Sequence, residues 1–216
     1  MNEKRQNPII LGLNGTKPVK IDKKGKKSGG GEYLQCRILR PTEFVAMHDT
    51  IAKGDKDDLT NFDMTLLLGA RYEECRRIQN HPEYFDKKTF VEVEEHKTKR
   101  TAKKRWIRLS NKGKTLIHYF FDVDRRLPTV QTWDEKLKRW AELAGIGKEG
   151  VTSRMMRKTW ESWLMFYYPE QSMMIAQSQG HTLVTAMQHY INMPFTDEDA
   201  KLMKEWVEGW KPEDRK

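Results

Sequence analysis

Cysteine is nearly absent from this chain: Cys36 and Cys75 are the only two in 216 residues. Their spacing suits neither a zinc site nor a redox pair, so both are expected as reduced thiols in a cytoplasmic protein. Long apolar runs are missing as well. No stretch approaches the roughly 20 residues of a membrane span, and the first residues lack a signal-peptide core, which argues against a membrane partner. Acidic charge falls short of basic charge, with 31 Asp and Glu against 40 Lys and Arg. Carboxylates nowhere cluster in a pattern suited to a divalent metal, so neither a metal nor a cofactor is expected. Internal repeats are lacking too.

What is present points to a folded protein with a polyanionic partner. Seven Trp, 7 Tyr, 8 Phe and 11 Met supply the burial that a disordered chain lacks. A formal charge of +9 and a pI near 9.4 favour nucleic acid, because Lys and Arg gain affinity by releasing counterions from phosphates. An acidic membrane surface would satisfy the same charge, but no basic segment forms an amphipathic helix with a clean apolar face. Double-stranded DNA is the expected partner, with binding that weakens steeply as salt rises. Residues 1–31 stand apart. Lys4, Arg5, Lys17, Lys20, Lys23, Lys24, Lys26 and Lys27 oppose only Glu3 and Asp22, giving 8 − 2 = +6, and the segment ends in Ser28-Gly29-Gly30-Gly31. It reads as a flexible basic tail, with 32–216 as a single domain.

Apolar periodicity predicts an α+β, mainly helical domain with a small antiparallel β-hairpin on one side. Thr42 reads as an N-cap, with Phe44, Val45, His48 and Ile51 following at helical spacing. Further helices are expected over Leu59–Leu68 and Arg71–Ile78. The period then changes to two in Thr89–Glu94 and Arg105–Leu109, which read as paired strands around a basic tip, His96 to Lys104. A third strand is expected near Leu116–Phe121. Beyond Pro128, Trp133, Leu137, Trp140 and Leu143 share one helix face, ended by Gly145 and Gly147. Helices at about 152–167, 171–177, 183–191 and 197–208 complete the reading. The last carries Leu202, Met203, Trp206, Val207 and Trp210 on one stripe, fit either to dock on its own domain or to pack on a neighbouring subunit.

Four distant segments carry chemistry together. They are Gly69-Ala70-Arg71 with Glu74, the tip with Lys97, Arg154-Met155-Met156-Arg157-Lys158-Thr159, and Gly180-His181 followed nine residues on by Tyr190. This set resembles the tyrosine recombinases, the family of phage integrases and chromosome-dimer resolvases, over roughly residues 40–210. The resemblance implies the recombinase catalytic (DNA breaking-rejoining) fold and a site-specific recombinase acting through a 3′-phosphotyrosine. Tyr190 would be the nucleophile, with Arg71, Arg157, His181, Lys97 and Arg154 as the catalytic set and Glu74 in support. It also implies a monomer in solution that forms a dimer or tetramer on DNA. Lys99, Arg100, Lys103, Lys104 and Lys158 are the expected DNA contacts. Arg154 and Lys158 stand where the family usually has His. A basic residue at the first position and the ending His189-Tyr190-Ile191-Asn192-Met193-Pro194-Phe195 are similar to archaeal and archaeal-virus integrases, in which case the compartment is the host cytoplasm.

The chemistry explains these residue types. Attack on a phosphodiester builds charge on the non-bridging oxygens, and planar guanidinium groups meet two oxygens at once. A phenol titrating near 10 is a poor nucleophile until cations favour its phenolate. A lysine on the hairpin can protonate the leaving 5′ oxygen. Arginine stays protonated and cannot serve as a base, so Arg154 can bind phosphate only. Plainer roles compete at each position. Arg71 can pair with Glu74 at the surface, Lys99 competes with Lys97, His181 can begin a helix, and Tyr190 can be a packed aromatic as Tyr167 and Tyr168 are expected to be. Trp160 and His189 read as structural. Two other functions use the same fold: type IB topoisomerase-like relaxation, and DNA binding by a catalytically decayed integrase domain.

Overall fold

The computed structural model describes residues 36–95, 103–182 and 194–211, with the side chains of Glu95 and Lys103 outside the description. The basic tail at 1–31, the hairpin tip with Lys97, Lys99 and Arg100, and the segment with His189 and Tyr190 lie outside the described residues, as does the helix expected at 183–191.

Helix α1 spans Pro41–Ala52, α2 Lys56–Leu68 and α3 Tyr72–Gln79. Strands β1 (Phe90–Glu95) and β2 (Lys103–Arg108) follow, then α4 (Asn111–Asp122), α5 (Val130–Leu143), α6 (Arg154–Tyr167), α7 (Ser172–Gln179) and α8 (Asp197–Val207). The α+β, mainly helical architecture is as expected, and the strands form one antiparallel sheet of two.

Local chemistry sets the helix starts. α1 begins two residues earlier than its apolar spacing suggests. Pro41 has its φ preset for the first helical position, and the Glu43 carboxylate accepts the Arg40 N–H at 2.9 Å. Asp55 caps α2 by accepting the N–H groups of Asp57 and Asp58. The strand expected at 116–121 is instead part of α4. Ser110 caps that helix by accepting the Gly113 N–H, and Gly113, Ile117, Phe120 and Phe121 form one buried stripe with helical spacing. In α5, Trp133, Leu137 and Ala141 face inward, whereas Leu143, expected on the same face, turns away from it and is 66% exposed.

α2 is the central element. Every residue from Asn61 to Leu68 is buried, with α1, α3, α4 and α6 packed around it. Its Phe62 and the rings of Phe44, Trp133, Trp160 and Trp163 are fully buried in the core. Truncating any one of these to Ala would cost about 3–5 kcal/mol. The segment before α1 is tied to α6: the Leu39 N–H donates to Thr159 Oγ1 at 2.9 Å, and Trp163 Nε1 donates to the Leu39 carbonyl at 3.1 Å.

α8 docks on its own domain against α1, α4 and α6, burying Met203, Trp206, Val207 and Trp210. Arg40 Nη1 pairs with Asp199 Oδ2 at 2.9 Å, and Phe44 meets Trp206 edge-on with centroids 4.8 Å apart. Tyr168 donates to the Val207 carbonyl and stacks on Trp210, so it is a packed aromatic.

In the hairpin, Phe90 pairs with Arg108 and Glu95 with Lys103. Period-two alternation turns Val91, Val93 and Ile107 inward and leaves Trp106 half exposed. Arg105 shares the buried face with Ile107. A charge there needs an ionic partner.

Candidate active site

Two chain turns and one helix deliver the site. Gly69 ends α2 in the left-handed conformation, φ 55° and ψ 18°. A Cβ there would sit 2.4 Å from Trp160 Cδ1 and 2.6 Å from Gln179 Nε2, so glycine is required both by backbone angle and by the approach of α6 and α7. Two residues on, Arg71 is the N-cap of α3. Its backbone N–H donates to Glu74 Oε2 at 2.8 Å and its Nη1 to Glu74 Oε1 at 2.9 Å.

The end of α7 is the second turn. Gly180, at φ 70°, closes the helix with the Gly180 N–H on the Gln177 carbonyl and the His181 N–H on the Ala176 carbonyl. The His181 N–H thus takes part in closing α7. Two further carbonyls at this helix end are taken by arginines: Arg105 Nη1 donates to Ser178 O at 2.9 Å, and Arg157 Nη2 donates to Gln179 O. Cations at the negative end of a helix are favoured, and these also satisfy acceptors that the helix leaves orphaned.

The third contribution is α6, which carries Arg157 and, one turn later, Glu161. Arg157 Nη1 reaches the Gly69 carbonyl at 3.3 Å, and Nη2 lies 3.3 Å from His181 Nε2. Glu161 Oε2 lies 2.8 Å from the same His181 nitrogen. Behind them Glu74 links the arginines: Arg105 Nη2 sits 2.5 Å from its Oε2, and Arg157 Nη1 is 4.0 Å from the same oxygen.

Electrostatics follow from these contacts. Burial alone would raise the Glu74 carboxyl, but the Arg105 charge, the Arg71 N–H and the charges of Arg71 and Arg157 together hold it below the ordinary carboxylate value. Burial lowers Arg157, reinforced by repulsion from Arg105 and Arg71. The guanidinium stays charged all the same, so the shift reflects the cost of burying Arg157 beside two other cations. Three arginines against Glu74 and Glu161 leave 3 − 2 = +1 before His181 is counted. The Arg71 side chain is 41% exposed, whereas that of Arg157 is only 10% exposed. One guanidinium is therefore open to an incoming anion, and the other is fixed at the floor by main-chain carbonyls.

Arg71, Glu74, Arg157 and His181 thus come together from α3, α6 and the end of α7. Arg154 is exposed on the first turn of α6 and Lys158 is half-buried. Both bear on the Cys36 thiol, which burial nonetheless pushes up. Lys104 pairs with Glu92 at 2.5 Å on the outer face of the hairpin. Lys97, Lys99, Arg100, Tyr190 and the Lys103 side chain lie outside the described residues. Two participants are additions to the sequence reading. Arg105 was signalled by its strand register, a charge in phase with buried Ile107. Glu161 was signalled only by being an acid in the apolar run from Trp160 to Leu164. Among the described residues no three His, Cys, Asp or Glu side chains converge to hold a metal ion.

No protein-family model and no curated protein sequence matches this chain. Solved structures do. The crystal structure of XerA recombinase aligns with a TM-score of 0.58 at 16% identity, covering 78% of this chain and 64% of that one. The fold is that of the tyrosine recombinase catalytic domain. A second recombinase-fold structure, XerH site-specific recombinase bound to palindromic difH substrate in a post-cleavage complex, aligns with a TM-score of 0.52 at 15% identity. It covers 86% of this chain and 60% of its own. The chain therefore spans less than two thirds of either recombinase.

Proposed function

We propose that this chain is the catalytic domain of a tyrosine-type site-specific recombinase that cleaves and rejoins double-stranded DNA through a 3′-phosphotyrosine at Tyr190. One observation carries the reading. Arg71, Arg157 and His181, far apart in sequence, converge on a recombinase fold with an anchored and a solvent-open guanidinium side by side. Such a pair stabilises the charge that develops on two non-bridging oxygens during in-line displacement. In this reading the Tyr190 oxygen attacks phosphorus, the 5′ oxygen leaves with a proton from Lys97, and the covalent ester conserves the bond energy for religation. Lys99, Arg100, Lys103, Lys104 and Lys158 contact phosphates, and Arg154 binds phosphate without acting as a base. The chain acts in the cytoplasm as a monomer that assembles into a dimer or tetramer on DNA. The Arg154 position and the residues around Tyr190 align it with archaeal and archaeal-virus integrases.

The test is to trap the intermediate. A nicked suicide duplex incubated with the protein in EDTA is expected to yield a denaturation-resistant protein–DNA adduct that Tyr190→Phe abolishes. Binding without any adduct would sink the enzymatic reading in favour of a DNA-binding module. Relaxation of plasmid without strand exchange would move it to a topoisomerase.

A further inference from the structure

Arg105 is a buried cation that the charge of its acidic partner does not call for. Its side chain is only 6% exposed, and enclosing a guanidinium is costly. Glu74 already has a counter-ion in Arg71, at 2.9 Å. Arg105 adds a second, and it repels Arg157 more strongly than Arg71 does. Neutralising Glu74 therefore does not account for it, but its hydrogen bonds do. Nη2 donates to Glu74 Oε2 at 2.5 Å, and Nη1 donates to Ser178 O at 2.9 Å. The same strand also reaches Ser178 through the Arg108 N–H, 3.4 Å from its Oγ. Glu74 Oε2 thus takes two donors, Arg105 Nη2 and the Arg71 N–H at 2.8 Å. A carboxylate is planar, so pinning one oxygen from two sides sets the direction of the other. Oε1 accepts from Arg71 Nη1 at 2.9 Å, the only hydrogen bond that the Arg71 guanidinium makes among the described residues. The other guanidinium N–H groups of Arg71 are left to meet an anion. Arg157 meanwhile holds Gln179 O, the carbonyl next to the one that Arg105 holds.

We infer that Arg105 is a positioning residue: by pinning Glu74 to the end of α7, it fixes the direction in which Arg71 presents its guanidinium beside Arg157. The inference rests on the recombinase reading above and deepens it, because it adds a residue that acts on the phosphate only through another side chain. Charge on the non-bridging oxygens develops in set directions, and a donor already in place needs no reorganisation at the moment of attack. An Arg71 free to pivot on a loose Glu74 would still attract DNA by its charge, yet it would meet the transition state out of line. Arg105 therefore governs the rate of the chemical step and leaves affinity alone. It also puts both guanidinium groups on one frame. Arg71 hangs from Glu74, Glu74 from Arg105, and Arg105 from the α7 turn that anchors Arg157.

Two measurements decide it. Nitrogen-15 spectra of the wild-type protein should show the Arg71 guanidinium turning slowly about its Nε–Cζ bond. Free rotation there overturns the inference without depending on the folding of any variant. Arg105→Lys keeps the charge but lacks the fork that reaches Glu74 and Ser178 O at once. In this variant Arg71 should turn freely while Arg157, still held by Gly69 O, stays slow. Release of both would mark general loosening and overturn the inference, as would an Arg71 signal that does not change. In single-turnover cleavage, Arg105→Lys should slow adduct formation by about 10- to 10²-fold with the Kd for duplex DNA unchanged. In an Arg71→Lys background the same change should slow it no further. Equal slowing in both backgrounds would overturn the route through Arg71. Absence of adduct from the wild-type protein would instead overturn the recombinase reading, while the spectra still report separately on whether Arg105 holds Arg71.

Discussion

Two histidines of this domain stand beside buried carboxylates, in opposite company. His181 lies 2.8 Å from Glu161, and His48 Nε2 lies 3.5 Å from Asp63 Oδ2. In both pairs the second carboxylate oxygen is enclosed without a hydrogen-bond partner. The surroundings differ. His48 is bracketed by the rings of Phe44 and Trp206, and Lys112 caps the far ring at 3.5 Å from its centroid. His181 abuts Arg157, itself held by two carbonyls and linked through Glu74 to Arg105 and Arg71. A histidine–carboxylate pair is therefore no signature of chemistry in itself. What separates the two is a cluster of cations, one of them open to solvent, next to the ring.

The sharpest way to break the contrast is to take the fork from Arg157. Arg157→Lys retains the charge but cannot span Gly69 O and Gln179 O together. Adduct formation should fall by about 10²- to 10³-fold in a single-turnover assay, in line with the loss of one preorganised donor to a charged transition state.

Glu74→Gln attacks the support beneath the cluster. It leaves Arg105 and Arg157 enclosed without their shared counter-ion, and urea unfolding at neutral pH should show a loss of about 3 kcal/mol. Because the folded state holds Glu74 below its ordinary value, the stabilisation is complete above the unfolded carboxylate range near 4.3 and is lost as pH falls through the lower folded value. The gap between wild type and variant should therefore close in acid.

The smallest effect belongs to His48. The contact with Asp63 raises His48 above its ordinary value, although burial opposes this. Burial in turn raises Asp63. The His48 contribution is present below about 6.5 and lost as pH rises through the raised value. His48→Asn should cost less than about 1 kcal/mol by thermal unfolding at pH 6 and nothing resolvable at pH 9, with adduct formation unaltered. A large catalytic effect of this variant would erase the distinction between the pairs.

How much of this could be read from residues alone depends on the range of the signal. Helical spacing such as that of Phe44 and Ile51, and the alternation of Val91 and Val93, are local and announce their elements directly. The segment Leu116–Phe121 misleads because its bulky apolar residues suit a strand, and only Ser110 capping Gly113 two turns upstream starts a helix there. At the site, the resemblance to the tyrosine recombinases brought Arg71, Glu74, Arg157 and His181 into one pattern. Arg105 and Glu161 escaped it because their significance is tertiary. Each becomes necessary only when the end of α7 sets Ser178 and His181 against β2 and α6.

The docking of α8 has a consequence for how the domain is made. Leu39 and Arg40, at the start of the described chain, find their partners in Thr159, Trp163 and Asp199, and Phe44 closes against Trp206. These contacts join the two ends of the domain, so nearly the whole loop between them must be ordered before they form, which makes assembly slow. During synthesis α1 leaves the ribosome long before α8 exists, and the edge of Phe44 that meets Trp206 waits for more than a hundred residues to be added. Among the described residues α8 is in this sense the latest folding partner of α1, and the arginine cluster is assembled on a frame that closes only once α8 has been made.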